Sequence, residues 1–272
     1  MIVFSHANSY SASTYGQLFD GWRAAGHEVA AVEHFGHDAR FPVDRSWRGM
    51  THQLTTLIDS LPGSESELWI VGHSMGGYLS LLAAGQRPKR VRGIVLLDSP
   101  IVYGWKAGLV TVAKATGMMQ RFSPAAQAVK RRDRWPNIGE AHRHFAKKPM
   151  FASWHPNILD DYIRFGTESE PTDRTGMERR LKFRPEIEAE IYSTVPHRLV
   201  SYLRLHPPGG PIAFIGGTHS QEINLVGMKA TQRITQNRVS WMEGSHLFPF
   251  ERPDETVREV LGWMEKLEVI RA

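Results

Sequence analysis

Along the chain, short apolar runs alternate with stretches of helical spacing. MIVFSH (1–6) reads as a β-strand, and a helix-like stretch over 13–25 follows it and closes on Gly26. HEVAAVEHF (27–35) reads as a second strand and GHDARFPVD (36–44) as a loop. Residues 45–61 have helical spacing and stop at Pro62-Gly63, a pair that ends helices. A strand is predicted over 67–72, a helix from Ser74 onward (SMGGYLSLLAAGQ), and a buried strand over VRGIVLLD (91–98). Near-continuous apolar strands alternating with helices predict a parallel sheet covered on both faces.

The rhythm breaks over 100–205, where no buried strand is evident and aromatic, Pro-punctuated helical pieces such as GEAHRHFAKKP and NILDDYIRFGTES take over. It resumes with the strand GPIAFIGG (210–217), a helix near 224–235, the strand RVSWME (238–243) and a closing helix over 252–268. Pro253 sits in the first turn of that last helix with acids after it, as helix starts prefer. No internal repeat or low-complexity segment interrupts the chain. The expected architecture is an α/β core built from 1–99 and 206–272, with 100–205 inserted as a helical cap over it and not as a separately folded domain.

Composition narrows this picture without redirecting it. At 272 residues, 41% apolar and 22% charged, the chain has the makeup of an ordinary globular protein able to bury a large core. No apolar run approaches the ~18 residues of a bilayer span, and the opening MIVFSHANSY lacks the basic and long apolar regions of a signal peptide. The absence of cysteine removes disulfides, thiolate chemistry and cysteine-ligated metal sites. These features fit a cytoplasmic enzyme. The net charge of +5 is modest, and the basic clusters VKRRDRW (129–135) and ERRLKFR (178–184) are interleaved with acids and apolar residues. They read as solvated faces, with no motif that would make a nucleic-acid partner of them.

The chemistry concentrates in VGHSMGG (71–77). Glycine two residues before and two after Ser74 is what a strand needs to turn sharply into a helix, a turn that strains the serine backbone and projects its hydroxyl outward. A β run ends directly at the motif and a helical pattern starts directly after it, so Ser74 is a candidate nucleophile. A serine hydroxyl needs a base. Of the thirteen histidines, His246 in EGSHLFPFERP lies between the last predicted strand and the last helix, at the same carboxyl edge of the sheet as Ser74. The oxyanion of a tetrahedral intermediate would be met by the backbone N–H of Met75 and by that of Asn8 in SHANS, the loop after the first strand. His6 and Ala7 would shape that loop, His6 as structural support.

Together VGHSMGG, SHAN before the first helix and GSHLFPFERP near the end resemble the α/β-hydrolase family over essentially the whole chain outside the cap. The resemblance implies a mostly parallel sheet, a helical cap between strands, and the chain order nucleophile, acid, histidine. It also exposes two departures. Family members usually carry two antiparallel strands before the strand that here comes first, so a trimmed core or a late start codon is expected. Their acid usually sits in a G-x-x-D pattern after the strand corresponding to PIAFIGG, whereas this chain has Gly217-Thr218-His219-Ser220. Two carboxylates can replace it. Asp98 ends the strand VRGIVLLD, where some members, including a subset of haloalkane dehalogenases, carry their acid; Glu222 lies two residues past the vacant slot. Asp98 is the preferred reading, Glu222 the alternative, and a site with no acid remains open.

A serine nucleophile excludes the alkyl-enzyme chemistry of the dehalogenases and epoxide hydrolases of this fold. It leaves acyl chemistry on a small-molecule ester, with no metal or organic cofactor required. A thioesterase, a lactonase or an acyltransferase would use the same residues, and a non-catalytic ligand-binding homologue or a protein-binding scaffold are alternatives of a different class. Oligomeric state is open. Within 100–205, Trp105, Met118, Met119, Phe122, Trp135, Phe145, Phe151, Trp154, Tyr162 and Phe165 are candidates either for an apolar substrate pocket or for the contact that holds the cap to the core.

Overall fold

The computed structural model describes residues 1–63, 66–102, 131–172 and 176–271. In chain order, the first half contributes β1 (Ile2–Ser5), a 3-10 turn (Ala12–Tyr15), α1 (Gly16–Ala24), β2 (Val29–Ala31), α2 (Arg48–Ser60), β3 (Leu68–His73), α3 (Met75–Gln86) and β4 (Val91–Leu97). From residue 131 the chain forms β5 (Arg134–Trp135), α4 (Ile138–Ala146), α5 (Pro149–Ala152), α6 (Pro156–Gly166), β6 (Thr167–Thr172), β7 (Gly176–Leu181), α7 (Pro185–Thr194) and α8 (Leu199–Leu205). It then returns through β8 (Ile212–Gly217), α9 (Gln221–Val226), α10 (Lys229–Thr235), β9 (Val239–Met242), α11 (Phe248–Glu251) and α12 (Pro253–Arg271).

The main sheet has six strands in the order β2-β1-β3-β4-β8-β9, all parallel. Its inner strands β1, β3, β4 and β8 are buried along their length, apart from Arg92, because both faces are covered, and the two-residue period divides their apolar residues between the faces. Phe4, Val71, Val95, Leu97 and Ile215 face one cluster, with Leu18 and Trp22 of α1 and Val260 and Met264 of α12. Val3, Ile70, Ile94, Leu96 and Phe214 face the other, with Leu54 and Ile58 of α2, Leu79 of α3 and Leu203 of α8.

The segment 131–205 packs into both clusters. Phe145, Phe151, Trp154 and Tyr162 join the first, and Ile191, Leu199 and Leu203 the second. Trp135, Phe145, Phe151, Trp154 and Tyr162 are buried there, while Trp105, Met118, Met119 and Phe122 lie outside the described residues.

Four local readings change. The strand expected over 27–35 shrinks to Val29–Ala31, and the helix expected over 224–235 divides into α9 and α10 around Gly227, whose φ of 83° breaks the helical path. The inserted segment is not helical throughout: β5, β7 and β6 form a small antiparallel sheet. It has no apolar alternation to betray it, because charge pairs across the strands hold it together, with Arg134 bound to Glu170 and Glu178 and Arg180 to Glu170. ERRLKFR thus forms part of a charged ladder. Arg131 of VKRRDRW departs from the solvated-face reading, being a largely buried cation 2.7 Å from Glu188 of α7.

The turn from β3 into α3 rests on close backbone approach. A Cβ on Gly76 would lie 1.9 Å from the Ser5 carbonyl oxygen at the end of β1, and one on Gly72 would lie 2.5 Å from the Gly76 backbone. Neither neighbour is a side chain that can swing away. Gly76→Ala is therefore expected to lower the unfolding free energy by about 3 kcal/mol, read from urea denaturation midpoints; an unchanged midpoint would show that β1 and α3 are not locked this closely.

Candidate active site

β3 delivers Ser74 to the carboxyl edge of the sheet with φ 53° and ψ −115°, a conformation that costs a non-glycine residue of order 1–3 kcal/mol and survives only where the surroundings enforce it. They do so here. The Ser74 N–H donates to Leu97 O at 2.9 Å, and the Ser99 hydroxyl lies 2.9 Å from Ser74 O. Met75 opens α3, so its N–H has no residue one turn earlier in the helix to accept it.

His246 reaches Ser74 from the loop between β9 and α11. Its Nε2 is 2.9 Å from Ser74 Oγ and its Nδ1 is 2.8 Å from Asp98 Oδ1. The loop is pinned by Glu251 of α11, which accepts the Ser245 N–H at 3.0 Å and also the Ser245 hydroxyl. With its Nδ1–H facing the carboxylate, the imidazole presents Nε2 to the serine hydroxyl as an acceptor. Burial opposes the charged imidazolium, but the hydrogen bond and charge of Asp98, with a smaller pull from Glu222, outweigh it and raise the His246 pKa above its ordinary value.

Asp98 follows β4 at φ 40° and is fully buried. Its carboxylate is saturated with donors: Oδ2 accepts the Gly217 N–H at 2.7 Å, and Oδ1 accepts the Ser220 hydroxyl at 2.6 Å as well as His246 Nδ1–H. Ser220, the residue in the slot where the acid was sought, thus hydrogen-bonds the carboxylate that stands one strand away. It also caps α9 by accepting the Ile223 N–H at 3.2 Å. Glu222 stands farther off, with Oε2 3.7 Å from His246 Nδ1 and its side chain 48% exposed. Asp98, Glu222 and His246 bring three donor atoms within 4.8 Å of one another, enough to hold a metal ion in principle. Two of the three are already engaged in the His246–Asp98 hydrogen bond.

The loop after β1 lies across a cleft from Ser74. Asn8 anchors it through its side chain, with Nδ2 donating to Glu188 O at 3.1 Å and Oδ1 accepting the Ser9 N–H at 3.1 Å. Its backbone N–H has no partner among the described residues. His6 is fully buried and its pKa is pushed down to about 3, chiefly by burial. Phe35 N–H donates to His6 Nε2, which leaves Nδ1–H to donate to Ala7 O at 2.8 Å. His6 therefore holds the carbonyl of the Ala7–Asn8 peptide in place, the supporting part expected of it.

The cleft, of about 320 Å³, is lined by Ala7, Asn8, Ser9, Tyr10 and Ser74 on one side and by His219, Gln221, Glu222, Ser245 and His246 on the other. Leu247, together with Met150 of α5 and Tyr192 of α7 from the segment between β4 and β8, completes it. Of the catalytic candidates, Ser74, His246, Asn8 and Glu222 line this cleft and Asp98 hydrogen-bonds His246, whereas the described pocket candidates Trp135, Phe145, Phe151, Trp154, Tyr162 and Phe165 do not line it. Among the contributors that escaped sequence reasoning are Ser220 as a donor to Asp98, Glu251 as the anchor of the His246 loop, and Met150 and Tyr192 as cleft residues. Glu251 lies only six residues past Ser245, so its bond is local to the His246 loop, whereas Ser220 reaches Asp98 from 122 positions away and Tyr192 reaches the cleft through tertiary packing.

No helix among the described residues is long and apolar enough to cross a membrane. Known proteins share this architecture. The solved structure of E-2-(acetamidomethylene)succinate hydrolase is 18% identical, with 97% of this chain and 91% of that one aligned at a TM-score of 0.72. A peroxisomal alpha-beta-hydrolase from Saccharomyces cerevisiae is 18% identical over 100% of this chain and 78% of that one, at a TM-score of 0.71. An M. tuberculosis esterase is 17% identical over 97% and 84%, at 0.65. At such identities the likeness shows a common fold. The sequence model of the alpha/beta hydrolase family, however, matches residues 2–259. With that match spanning nearly the whole chain, the protein belongs to the alpha/beta hydrolase family.

Proposed function

We propose that this protein is a serine hydrolase of small carboxylic esters that works through an acyl-enzyme. The observation that carries the reading is the unbroken line Ser74 Oγ, His246 Nε2, His246 Nδ1, Asp98 Oδ1, with contacts of 2.9 and 2.8 Å, built on a serine held at positive φ. Ser74 Oγ attacks the ester carbonyl carbon while His246 Nε2 takes the hydroxyl proton. Asp98 stabilises the imidazolium that forms. The backbone N–H groups of Met75 and Asn8 receive the oxyanion. As the carbonyl re-forms, the leaving alkoxide takes the proton from Nε2 and departs as the alcohol. Water then attacks the acyl-enzyme, giving its proton to His246, and the collapse of the second intermediate returns that proton to Ser74 and releases the acid. Residues 100–205 act as the cap in this reading, supported by the placement of Met150 and Tyr192 at the cleft.

The test is the intact mass after treatment with fluorophosphonates of several sizes, followed by peptide mapping. One adduct on the peptide carrying Ser74, together with turnover on a panel of esters, is the expected result. A folded protein that takes no adduct from any of them would sink the reading and favour a ligand-binding role.

Glu222 tunes the same base. His246 acts while neutral, so a raised pKa moves the loss of kcat/KM on acidification to higher pH. Glu222→Gln removes one of the two anions that raise it. The acid limb of the kcat/KM profile is expected to shift to lower pH, with the plateau within tenfold of the parent. A limb that stays in place would show that Glu222 does not act on His246.

A further inference from the structure

His73, the residue before the nucleophile, is fully buried and bonded at both ring nitrogens. Its Nδ1 lies 2.8 Å from the Tyr15 hydroxyl and its Nε2 lies 2.9 Å from the backbone carbonyl of His246. Tyr15, at the end of the 3-10 turn and equally buried, in turn accepts the Ala7 N–H at 3.1 Å. The three bonds join the loop carrying Asn8 to the loop carrying His246 through the residue that precedes Ser74.

We propose that Tyr15 and His73 are positioning residues: a neutral strut, Ala7 N–H to Tyr15 to His73 to His246 C=O, that fixes the distance between the oxyanion loop and the base loop. The inference rests on the catalytic reading above, and its chemistry follows from the fixed polarity of the two ends. Ala7 can only donate, so the Tyr15 oxygen accepts there and turns its own proton toward His73 Nδ1. Nδ1 is then the acceptor of the imidazole, and its proton stays on Nε2, facing a carbonyl that can only accept. One tautomer of a neutral histidine satisfies every group. Burial and the nearby histidines His246 and His6 hold the His73 pKa well below the ordinary value, in keeping with that state.

The strut ends on the backbone of His246 and not on its ring, so it orients the base without relaying a proton. Neutrality matters because the two rings are 5.1 Å apart; a charge on His73 would oppose the imidazolium that His246 becomes during turnover. Ala7 is held twice, its N–H by Tyr15 and its C=O by His6. The Asn8 N–H is the other end of that second peptide group, so movement of Tyr15 moves an oxyanion donor.

Tyr15→Phe removes one oxygen from a buried site and His73→Leu removes both ring nitrogens. Each is expected to lower kcat about tenfold or more, because small displacements of catalytic groups are costly, while KM stays within about twofold and the rate of fluorophosphonate labelling at Ser74 falls in parallel with kcat. The double variant is expected to lose no more than the worse single one, since the bonds act in series. Parallel Tm measurements separate this from packing: a Tm loss with unchanged kcat, or additive kcat losses, would overturn the strut. The parent protein provides a reading independent of turnover, the imidazole nitrogen-15 shifts of His73. They should report a neutral ring with its proton on Nε2 from pH 8 down to 5. Titration of His73 near its ordinary pKa would overturn the strut even if catalysis stands. Absence of labelling in the parent would overturn the catalytic reading, and the strut's role in catalysis with it.

Discussion

Ser74→Ala is expected to lower kcat on the best ester of a panel by about a million-fold, to the level set by the oxyanion donors and substrate binding alone. The size of the loss follows from what the hydroxyl does. Without Oγ no acyl-enzyme forms, His246 has no proton to take, and Asp98 has no imidazolium to stabilise, so the three residues fail as one. Alanine fills the same strained backbone position as serine, and the bonds that enforce it, from Ser74 N–H to Leu97 O and from Ser99 to Ser74 O, involve the main chain of residue 74. Stability should therefore change little, and an unchanged Tm beside abolished turnover is the expected pair of results. Residual turnover within tenfold of the parent would mean that the ester is cleaved elsewhere or by another route.

Asp98→Asn is expected to cost about ten-thousand-fold in kcat, the loss seen when a triad acid becomes an amide. Asp98 receives three donors, from Gly217, Ser220 and His246. An asparagine has one oxygen for them; the Gly217 N–H can only donate and takes it, so the amide group faces the Ser220 hydroxyl and His246 Nδ1. The imidazole then loses its reason to keep the proton on Nδ1, and Nε2 no longer faces Ser74 as an acceptor. Glu222→Gln should cost less than tenfold by comparison, since Glu222 is half exposed and 3.7 Å from Nδ1. The reverse ranking would make Glu222 the acid.

A rescue sharpens the test. Ser220 donates to the same Asp98 oxygen as His246 does and serves as an N-cap, a position aspartate fills equally well. Adding Ser220→Asp to Asp98→Asn should return at least a hundredfold of the lost kcat, by restoring a carboxylate at the end of the neighbouring strand. No recovery in a folded double variant would show that residue 220 cannot reach the imidazole from this backbone.

Much of this was legible in the sequence, for reasons that differ from element to element. The central strands announced themselves because a strand covered on both faces has no polar positions to hide behind, and Val91–Leu97 shows none but Arg92 at its start. The small sheet of β5, β6 and β7 was missed because its pairing runs through arginine and glutamate, whose pattern along the chain looks like any solvated segment. Arg131 was misread for the same reason: whether a cation is solvated or buried against Glu188 depends on a helix more than fifty residues away.

The sequence by itself determined the elbow, because its demands are local: Gly72 and Gly76 must lack a Cβ where backbones touch, and Ser74 must sit between them. It also determined that His246 follows the last strand and so ends at the same edge. Only the tertiary structure shows which carboxylate hydrogen-bonds His246. Asp98 and Ser220 are 122 positions apart and meet because β4 and β8 are adjacent, with Leu97 beside Ile215. That register sets the end of one strand beside the loop leaving the next, so a carboxylate at the first can serve the histidine reached from the second. Adjacency of strands is a property of the folded sheet, and neither Asp98 nor Ser220 carries it in the residues around it.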